Sequence, residues 1–175
     1  MKSSVDSVFD TVSLKHGAER LERECGSCTM CCKTHQVDEI QKPKGVTCMA
    51  CTVGVGCQVY ADRPQSCQDF ECWWLNGFGP DDWRPDKIKC VFDMEQTDEL
   101  GKVVRVFESM PSAAERPLVK KILERLCDKG HIVIIIRPEP LSPTMLVHPA
   151  SPYAPALEKM LRKLGPGQFS IREFK

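Results

Sequence analysis

Residues 117–136 read PLVKKILERLCDKGHIVIII and divide into two parts with different hydrophobic patterns. In the first part, apolar residues recur at helical spacing, in a stripe that consists of Leu118, Val119, Ile122, Leu123 and Leu126. Gly130 follows at the position where glycine commonly ends a helix. The second part, residues 131–136, is almost entirely β-branched, which predicts a buried strand. We therefore expect a helix that packs against a sheet.

Further strand-like segments lie on both sides of this unit. Residues 88–94 and 102–107 are rich in β-branched and aromatic residues, and the polar segment between them, residues 95–101, predicts a hairpin loop. Residues 112–115 have the form of a capping box, and Pro117 suits a first helical turn. Downstream, residues 144–148 and 169–174 predict strands, separated by a second helical stripe that consists of Leu157, Met160, Leu161 and Leu164. This order predicts an α+β fold with two helices on one face of a mostly antiparallel sheet.

Cysteine is the residue type that departs most from ordinary composition. The chain of 175 residues is 42% hydrophobic and 27% charged, which is usual for a globular protein, but it contains 11 cysteines. Nine of them lie between Cys25 and Cys72. Such a cluster admits a disulfide framework, a set of metal ligands or redox thiols.

The N-terminal residues help to choose between these alternatives. The first twenty carry Asp6, Asp10 and Glu19 and no long apolar stretch, so they do not predict a signal peptide. We therefore expect a cytoplasmic protein, in which thiols stay reduced. Cysteine clusters in that compartment more often bind metal or act in catalysis than form disulfides, which favours metal binding here.

Composition also argues against several classes of function. Lys+Arg and Asp+Glu both number 24, so the chain lacks the basic excess of a general nucleic-acid binder. The longest aliphatic run, residues 132–136, is far shorter than the about 20 residues of a membrane-spanning helix, so no membrane partner is expected. No Ser-His-Asp set, carboxylate pair or phosphate-binding loop is recognisable. Catalytic residues therefore stay unassigned, and so does enzymatic activity.

The cysteine spacing points to metal ligation. Residues 25–32 read CGSCTMCC, and a Cys-x2-Cys turn brings two sulfurs to the separation that tetrahedral zinc requires. The run of three also matches the opening of a ferredoxin motif for an iron–sulfur cluster, although no Cys-Pro follows. This run and the surplus of thiols favour an iron–sulfur cluster over Zn²⁺. The predicted metal ligands are Cys25, Cys28, Cys31, Cys32, Cys48, Cys51, Cys57, Cys67 and Cys72. Nine thiols suffice for one four-cysteine site with spares or for two sites with one thiol left over.

The combined cysteine pattern resembles a known family. Residues 57–67 read CQVYADRPQSC, which has the form Cys-x2-Tyr-x2-Arg-Pro-x2-Cys, and they follow the Cys-x2-Cys-x2-Cys-Cys opening. This pattern is similar to the YkgJ-type cysteine-cluster family, which is described as zinc- or iron-chelating. The resemblance covers about residues 25–72 and implies a metal ion or cluster as partner, with no assigned substrate. The family commonly has Arg after the last cysteine of this motif, where this chain has Gln68.

Three segments differ in composition. Residues 1–24 are polar and favour a short helix at 14–24. Residues 25–86 are rich in Cys, Gly and Pro, and such segments are held together by metal or cross-links rather than by a large apolar core. Residues 87–175 form the predicted α+β layer, and we expect them to make one integrated domain with residues 25–86. Residues 81–86 are predicted to be a linker between the two.

Several single residues receive predictions of their own. Cys90 and Cys127 lie among apolar residues of predicted elements and are expected to pack in the core. His35, three residues after the first cysteine run, is a candidate to complete a mixed metal site, but it is expected to be a solvated loop histidine. Arg63 is a candidate to offset thiolate charge. Aromatic residues beside the cysteines are expected to shield the site from water; they are Tyr60, Phe70, Trp73 and Trp74.

Three functional hypotheses follow from the sequence. The first is a metal-binding protein that holds an iron–sulfur cluster or Zn²⁺ through its cysteines. The second is a thiol- or cluster-based redox enzyme or sensor, which would need an exposed thiolate stabilised by His or Arg. The third is an interaction module in which the metal only stabilises the fold. The sequence identifies no protein partner.

Overall fold

The computed structural model describes residues 23–98 and 100–138, and two later strands at Thr144–Val147 and Ser170–Glu173. The second predicted helix, near residues 151–164, lies outside these residues, as does nearly all of the helix predicted at 14–24. Within the described part of the chain, no helix combines the length and the apolar character needed to cross a membrane.

Short elements make up the cysteine-rich segment. They are helix α1 (Met30–Thr34), strands β1 (Cys51–Thr52) and β2 (Gly56–Cys57), helix α2 (Gln65–Asp69) and helix α3 (Pro85–Ile88). Strands β1 and β2 pair antiparallel, with Cys51 opposite Cys57. Frequent glycine and proline residues interrupt regular backbone hydrogen bonding, which explains why these elements end after one turn or two residues.

The larger sheet, as far as the structure describes it, has five strands. In spatial order these are β3 (Cys90–Thr97), β4 (Gly101–Glu108), β5 (Ile132–Ile136), β6 (Thr144–Val147) and β7 (Ser170–Glu173). The α+β class is thus confirmed. The predicted mostly antiparallel arrangement is wrong, because β4 pairs parallel with β5 and β6 pairs parallel with β7. Helix α4 (Pro117–Asp128) connects β4 to β5, and a helical crossover returns the chain in the same direction.

The ends of the elements differ in detail from the predictions. Strands β3 and β4 extend until Thr97 pairs with Gly101, so the hairpin loop is shorter than expected. The predicted capping box is wrong: Ser112 has a left-handed backbone and α4 begins only at Pro117. The end of α4 is as predicted. Gly130 has a φ of 83°, and the N–H groups of Gly130 and His131 donate to the carbonyls of Cys127 and Leu126.

A single buried cluster joins α4, the sheet and part of the cysteine-rich segment. The predicted helical stripe faces the sheet, with Val119, Ile122, Leu123 and Leu126 buried. Cys90 and Cys127 are fully buried in the same cluster, which confirms them as core residues. The cluster also contains an aromatic group from earlier in the chain, namely Trp73, Trp74, Phe78 and Trp83. Residues 81–86 are therefore not a linker, because Trp83 packs into the core.

Gly79 allows Trp83 to pack closely against the backbone. Its φ is 76°, and a Cβ at this position would lie 2.1 Å from Cε3 of Trp83. We expect Gly79→Ala to lower the free energy of unfolding by roughly 2–4 kcal/mol, through overpacking and the left-handed backbone together. Urea denaturation would measure the loss. Gly130→Ala is the matched control, because its φ is 83° and a Cβ there would have no neighbouring atom within 4 Å. Equal losses in the two variants would contradict the steric explanation.

Candidate metal centre

The nine clustered cysteines are all free thiols, and they come from separate short segments. Cys72 is buried and the other eight are partly buried. Both Cys-x2-Cys pairs form tight turns, as predicted. The N–H of Cys28 donates to the Cys25 carbonyl at 2.8 Å, and the N–H of Cys51 donates to the Cys48 carbonyl at 3.1 Å.

Five thiols gather around helix α1, and we call them the Cys32 group. Its members are Cys31, Cys32, Cys48, Cys51 and Cys67. The N–H of Cys48 donates to the Cys32 carbonyl at 3.0 Å, which docks the second Cys-x2-Cys turn on α1. The side chain of Cys32 is in hydrogen-bonding contact with those of Cys51 and Cys31. The hydroxyl of Thr29 donates to Cys51 and so extends this chain of contacts.

Helix α2 brings Cys67 to this group through a contact with the loop after α1. The backbone N–H and the hydroxyl of Ser66 donate to the carboxylate of Glu39, at 2.9 and 2.8 Å. These bonds hold the start of α2 against the 38–40 turn. Cys67 therefore approaches Cys32 and Cys48, and both thiols raise the pKa of Cys67 after burial, which is the larger cause.

Lys42 provides a buried positive charge beside the same group. Its ammonium donates to the carbonyls of Lys33 and Pro43, at 3.3 and 3.2 Å, and to that of His35. Burial lowers the pKa of Lys42, and nearby thiols act in the opposite direction; they are Cys48, Cys32, Cys31 and Cys67. The backbone carbonyls thus fix a cation where thiolate charge would accumulate.

The thiols of the Cys32 group hinder one another's ionisation. The hydrogen bond to Cys31, followed by burial, raises the pKa of Cys32. Burial and the neighbouring Cys32 raise the pKa of Cys51 to about 11. Several thiolates in this space would repel one another, and a bound cation would reverse that effect.

Three further thiols form a second neighbourhood, which we call the Cys72 group. Its members are Cys25, Cys28 and Cys72. The pKa of Cys72 is raised to about 11, mainly by burial and to a smaller extent by the thiols of Cys25 and Cys28. Cys25 also raises the pKa of Cys28, for which burial is the main cause. Cys57 is assigned to neither group, and it lies opposite Cys51 in the β1–β2 ladder.

Arg63 lies beside this second group, as a residue that offsets thiolate charge would. Its guanidinium stacks on the ring of Tyr60 at 4.0 Å. Burial raises the pKa of Cys25, while a hydrogen bond from Tyr60 and the charge of Arg63 lower it. Nε of Arg63 is buried and has no hydrogen-bond partner.

His35 is the residue whose environment the sequence did not indicate. Its ring lies between Phe70 and Phe107, at centroid distances of 4.2 and 4.1 Å. Its Nε2 is 3.7 Å from Oδ2 of Asp93, on strand β3. The expectation of a solvated loop histidine is therefore wrong. The signal that could have indicated this environment was Asp93 itself, a carboxylate within an apolar strand segment.

Asp93 is buried and connects His35 to the sheet. Arg105 of β4 donates to both of its carboxylate oxygens, at 2.8 and 2.7 Å, and also to Glu95 at 3.0 Å. Burial alone would raise the pKa of Asp93, but His35 and Arg105 together hold it below its usual value. The contact ties the start of the cysteine-rich segment to strands β3 and β4.

The cysteines supply the ligand atoms that a thiophilic metal prefers. The arrangement of their side chains fits such a metal less well. Thiolates suit Zn²⁺ and iron–sulfur clusters. Among the described residues, however, no three or more Cys, His, Asp or Glu side chains are placed so that they could hold one ion. Metal binding would therefore require the cysteine sulfur atoms to move closer together.

Comparisons with known protein families, with curated proteins and with solved structures find no match to this chain.

Proposed function

We propose that this protein binds metal through its clustered cysteines, either as an iron–sulfur cluster or as Zn²⁺, with the Cys32 group as the principal centre. The observation that carries the proposal is the gathering of five thiols from three segments around one helix. Direct contacts link Cys51, Cys32 and Cys31, and Lys42 lies beside them. The resemblance of residues 25–72 to the YkgJ-type family supports the same function.

The electrostatics of the group supports a cationic occupant. Burial and mutual repulsion favour the protonated thiols, so the group holds protons when no cation is present. A metal ion displaces those protons and bonds to the thiolates, so binding releases protons and strengthens as pH rises. With four thiolates, a divalent ion leaves a net charge of about −2, and Lys42 partly offsets it. Because all 11 cysteines are free, we also propose a reducing compartment such as the cytoplasm.

Metal content is the direct test of this function. Protein purified without oxygen should contain at least one Zn or Fe per chain by elemental analysis, and visible absorption bands would identify an iron–sulfur cluster. Cys67→Ser should lower the metal content, because a hydroxyl is a much poorer ligand than a thiolate. Cys127→Ser is the control: it should keep the metal and lose only stability, on the order of 1–3 kcal/mol. A folded wild-type protein without metal would contradict the proposal.

The second candidate function is thiol redox chemistry, and the contact between Cys51 and Cys32 favours it. Two sulfurs in hydrogen-bond contact can form a disulfide with little backbone movement. Against it, the pKa values of both thiols are raised, whereas reactive cysteines have lowered ones. Mild peroxide treatment of metal-free protein, followed by peptide mass spectrometry, would detect a Cys32–Cys51 disulfide. Reversible formation of this bond in protein that never binds metal would favour the redox function.

A further inference from the structure

The β1–β2 hairpin holds two of the clustered cysteines directly opposite each other. Cys51 of β1 and Cys57 of β2 are Cα partners in the antiparallel ladder, and Thr52 and Gly56 form the next pair. Residues that face each other in such a ladder carry their side chains on the same face of the sheet. Cys57 belongs to neither of the two thiol groups, and the ladder gives it a defined partner.

The hydrogen bonds of the hairpin fix the separation of the two backbones at this pair. The N–H of Gln58 donates to the carbonyl of Ala50 at 2.8 Å, which makes these two residues a hydrogen-bonded pair. Pairs alternate along an antiparallel ladder, so the adjacent pair, Cys51 and Cys57, is a non-hydrogen-bonded one. Cα atoms in such pairs lie about 4.5 Å apart. Disulfides join residues whose Cα atoms are about 4.4–6.8 Å apart, so a bond here needs little movement of the backbone.

The hairpin is held by its own turn and by a neighbouring one. The N–H of Val55 donates to the carbonyl of Thr52 at 2.9 Å, and Gly54 within this turn has a φ of 78°, which glycine adopts without steric cost. The backbone of Gly56 lies against the first Cys-x2-Cys turn, since a Cβ at this position would be 3.1 Å from the carbonyl oxygen of Gly26. These contacts maintain the register that pairs the two cysteines.

The end of the hairpin is open to small molecules in solution. Residues 52–55 are all exposed, and 68% of the surface of Val53 is accessible. Cys51 and Cys57 are themselves partly exposed. A small thiol reagent can therefore reach this pair, in contrast to Cys127, which has no exposed surface.

We propose that Cys51 and Cys57 form a reversible disulfide across the hairpin of the metal-free protein, with a small-molecule disulfide such as oxidised glutathione as the oxidant. One cysteine thiolate attacks a glutathione sulfur and releases one glutathione thiolate. The other cysteine thiolate attacks the resulting mixed disulfide and releases the second. The S–S bond of the protein thus replaces that of glutathione, which takes up two electrons and the two cysteine protons.

Two other cysteines compete for Cys51. They are Cys48, on the same tight turn, and Cys32, with which Cys51 is in contact. A bond to Cys57 closes only residues 51–57, whose ends the ladder already holds together, whereas a bond to Cys32 must join the hairpin to helix α1. This inference goes beyond the proposed metal binding and does not depend on it. Because Cys51 also belongs to the Cys32 group, the disulfide removes one thiol from that group.

Disulfide mapping of the full-length chain tests this pairing. Reduced protein in chelator is equilibrated in glutathione buffers of increasing oxidised fraction, and its free thiols are alkylated. Elastase, which cleaves after small aliphatic residues such as Val53, then separates the two strands for mass spectrometry. We expect linked peptides that contain Cys51 and Cys57, and we expect them to disappear when reduced glutathione is restored. A bond from Cys51 to Cys48 or Cys32 in its place, or free thiols at both positions at every glutathione ratio, would overturn the proposal.

Variants that lack one thiol of the pair test the second step. In Cys57→Ser and Cys51→Ser the first step can still occur, but the mixed disulfide has no partner thiol to attack it. We expect the remaining thiol of the pair to retain glutathione in at least one of these variants, with circular dichroism unchanged. Cys48→Ser is the matched control and should form the Cys51–Cys57 bond as the wild type does. Absence of glutathione from both variants, or the same adduct in the wild type, would contradict the pairing.

Discussion

Removal of the proposed metal is expected to abolish amide hydrogen-exchange protection from Cys25 to about Phe70, while α4 and β5 stay protected. Residues 25–70, all of which the structure describes, bury little apolar surface. Val37 is the one apolar residue among them whose side chain is buried. Several large apolar side chains here are instead exposed, including Met49, Val53 and Val55. Structural zinc contributes on the order of 10–16 kcal/mol in small peptides, where that energy is folding energy.

The second half of the expectation follows from the core. Ile122, Leu126 and Val133 have no exposed surface, and they belong to one cluster with Trp73 and Trp74. We therefore place the boundary of metal-dependent structure near residue 71, before the aromatic group. Hydrogen exchange with mass spectrometry, on the full chain with and without chelator, measures it. Simultaneous loss of protection in α4 would show instead that the cysteine-rich segment and the sheet unfold as one unit.

Loss of the Asp93 carboxylate is expected to destabilise the fold more than loss of a half-exposed carboxylate on the same strand. Asp93→Asn removes the charge that Arg105 binds through two hydrogen bonds and that His35 faces at 3.7 Å. Removing one partner of a buried ion pair costs about 3–5 kcal/mol. We expect a loss towards the lower end of this range, because Arg105 is partly exposed and keeps its contact with Glu95. Glu95→Gln is the matched control. Glu95 binds the same Arg105 at 3.0 Å but is half exposed, so its loss should cost less than about 1 kcal/mol.

The effect of Asp93 should depend on pH in a defined direction. The folded protein holds the pKa of Asp93 below its usual value, which is about 3.9 in an unfolded chain. Its stabilising contribution is therefore complete above about pH 4 and is lost as pH falls through the lower folded pKa. Denaturation of the wild type and Asp93→Asn at several pH values should show their difference shrinking in acid. A difference that stays constant down to about pH 2 would argue against the ion pair.

Local patterns in the sequence predicted the elements better than their arrangement. Helix α4 and strand β5 were predictable because the helical stripe and the β-branched run each lie within a short stretch of consecutive residues. The relative direction of the strands was not predictable, because it depends on how the connection through α4 places β5 beside β4. Trp83 was misplaced in a linker because its partners, such as Phe78, form a tertiary cluster without periodic spacing.

The candidate site shows the same limit. The cysteines were recognisable as a set from composition and spacing, but their division into two neighbourhoods depends on tertiary contacts with residues such as Lys42 and Arg63. None of these follows from cysteine spacing. His35 was misjudged because its partner Asp93 lies 58 residues later in the chain, on a strand that the local sequence does not connect to it.

The shared core also has a consequence for the order of events during synthesis. Cys72 leaves the ribosome about 60 residues before Ile135, a late buried residue of the cluster that it joins. At about 5–20 residues per second, this interval lasts on the order of 3–12 s, during which its sulfur is open to solvent. Once β5 is in place, reaching that sulfur requires the core to open. We therefore expect the Cys72 thiol to react readily in the nascent chain and slowly afterwards, whereas the partly exposed thiols of the Cys32 group stay accessible to the surrounding solution.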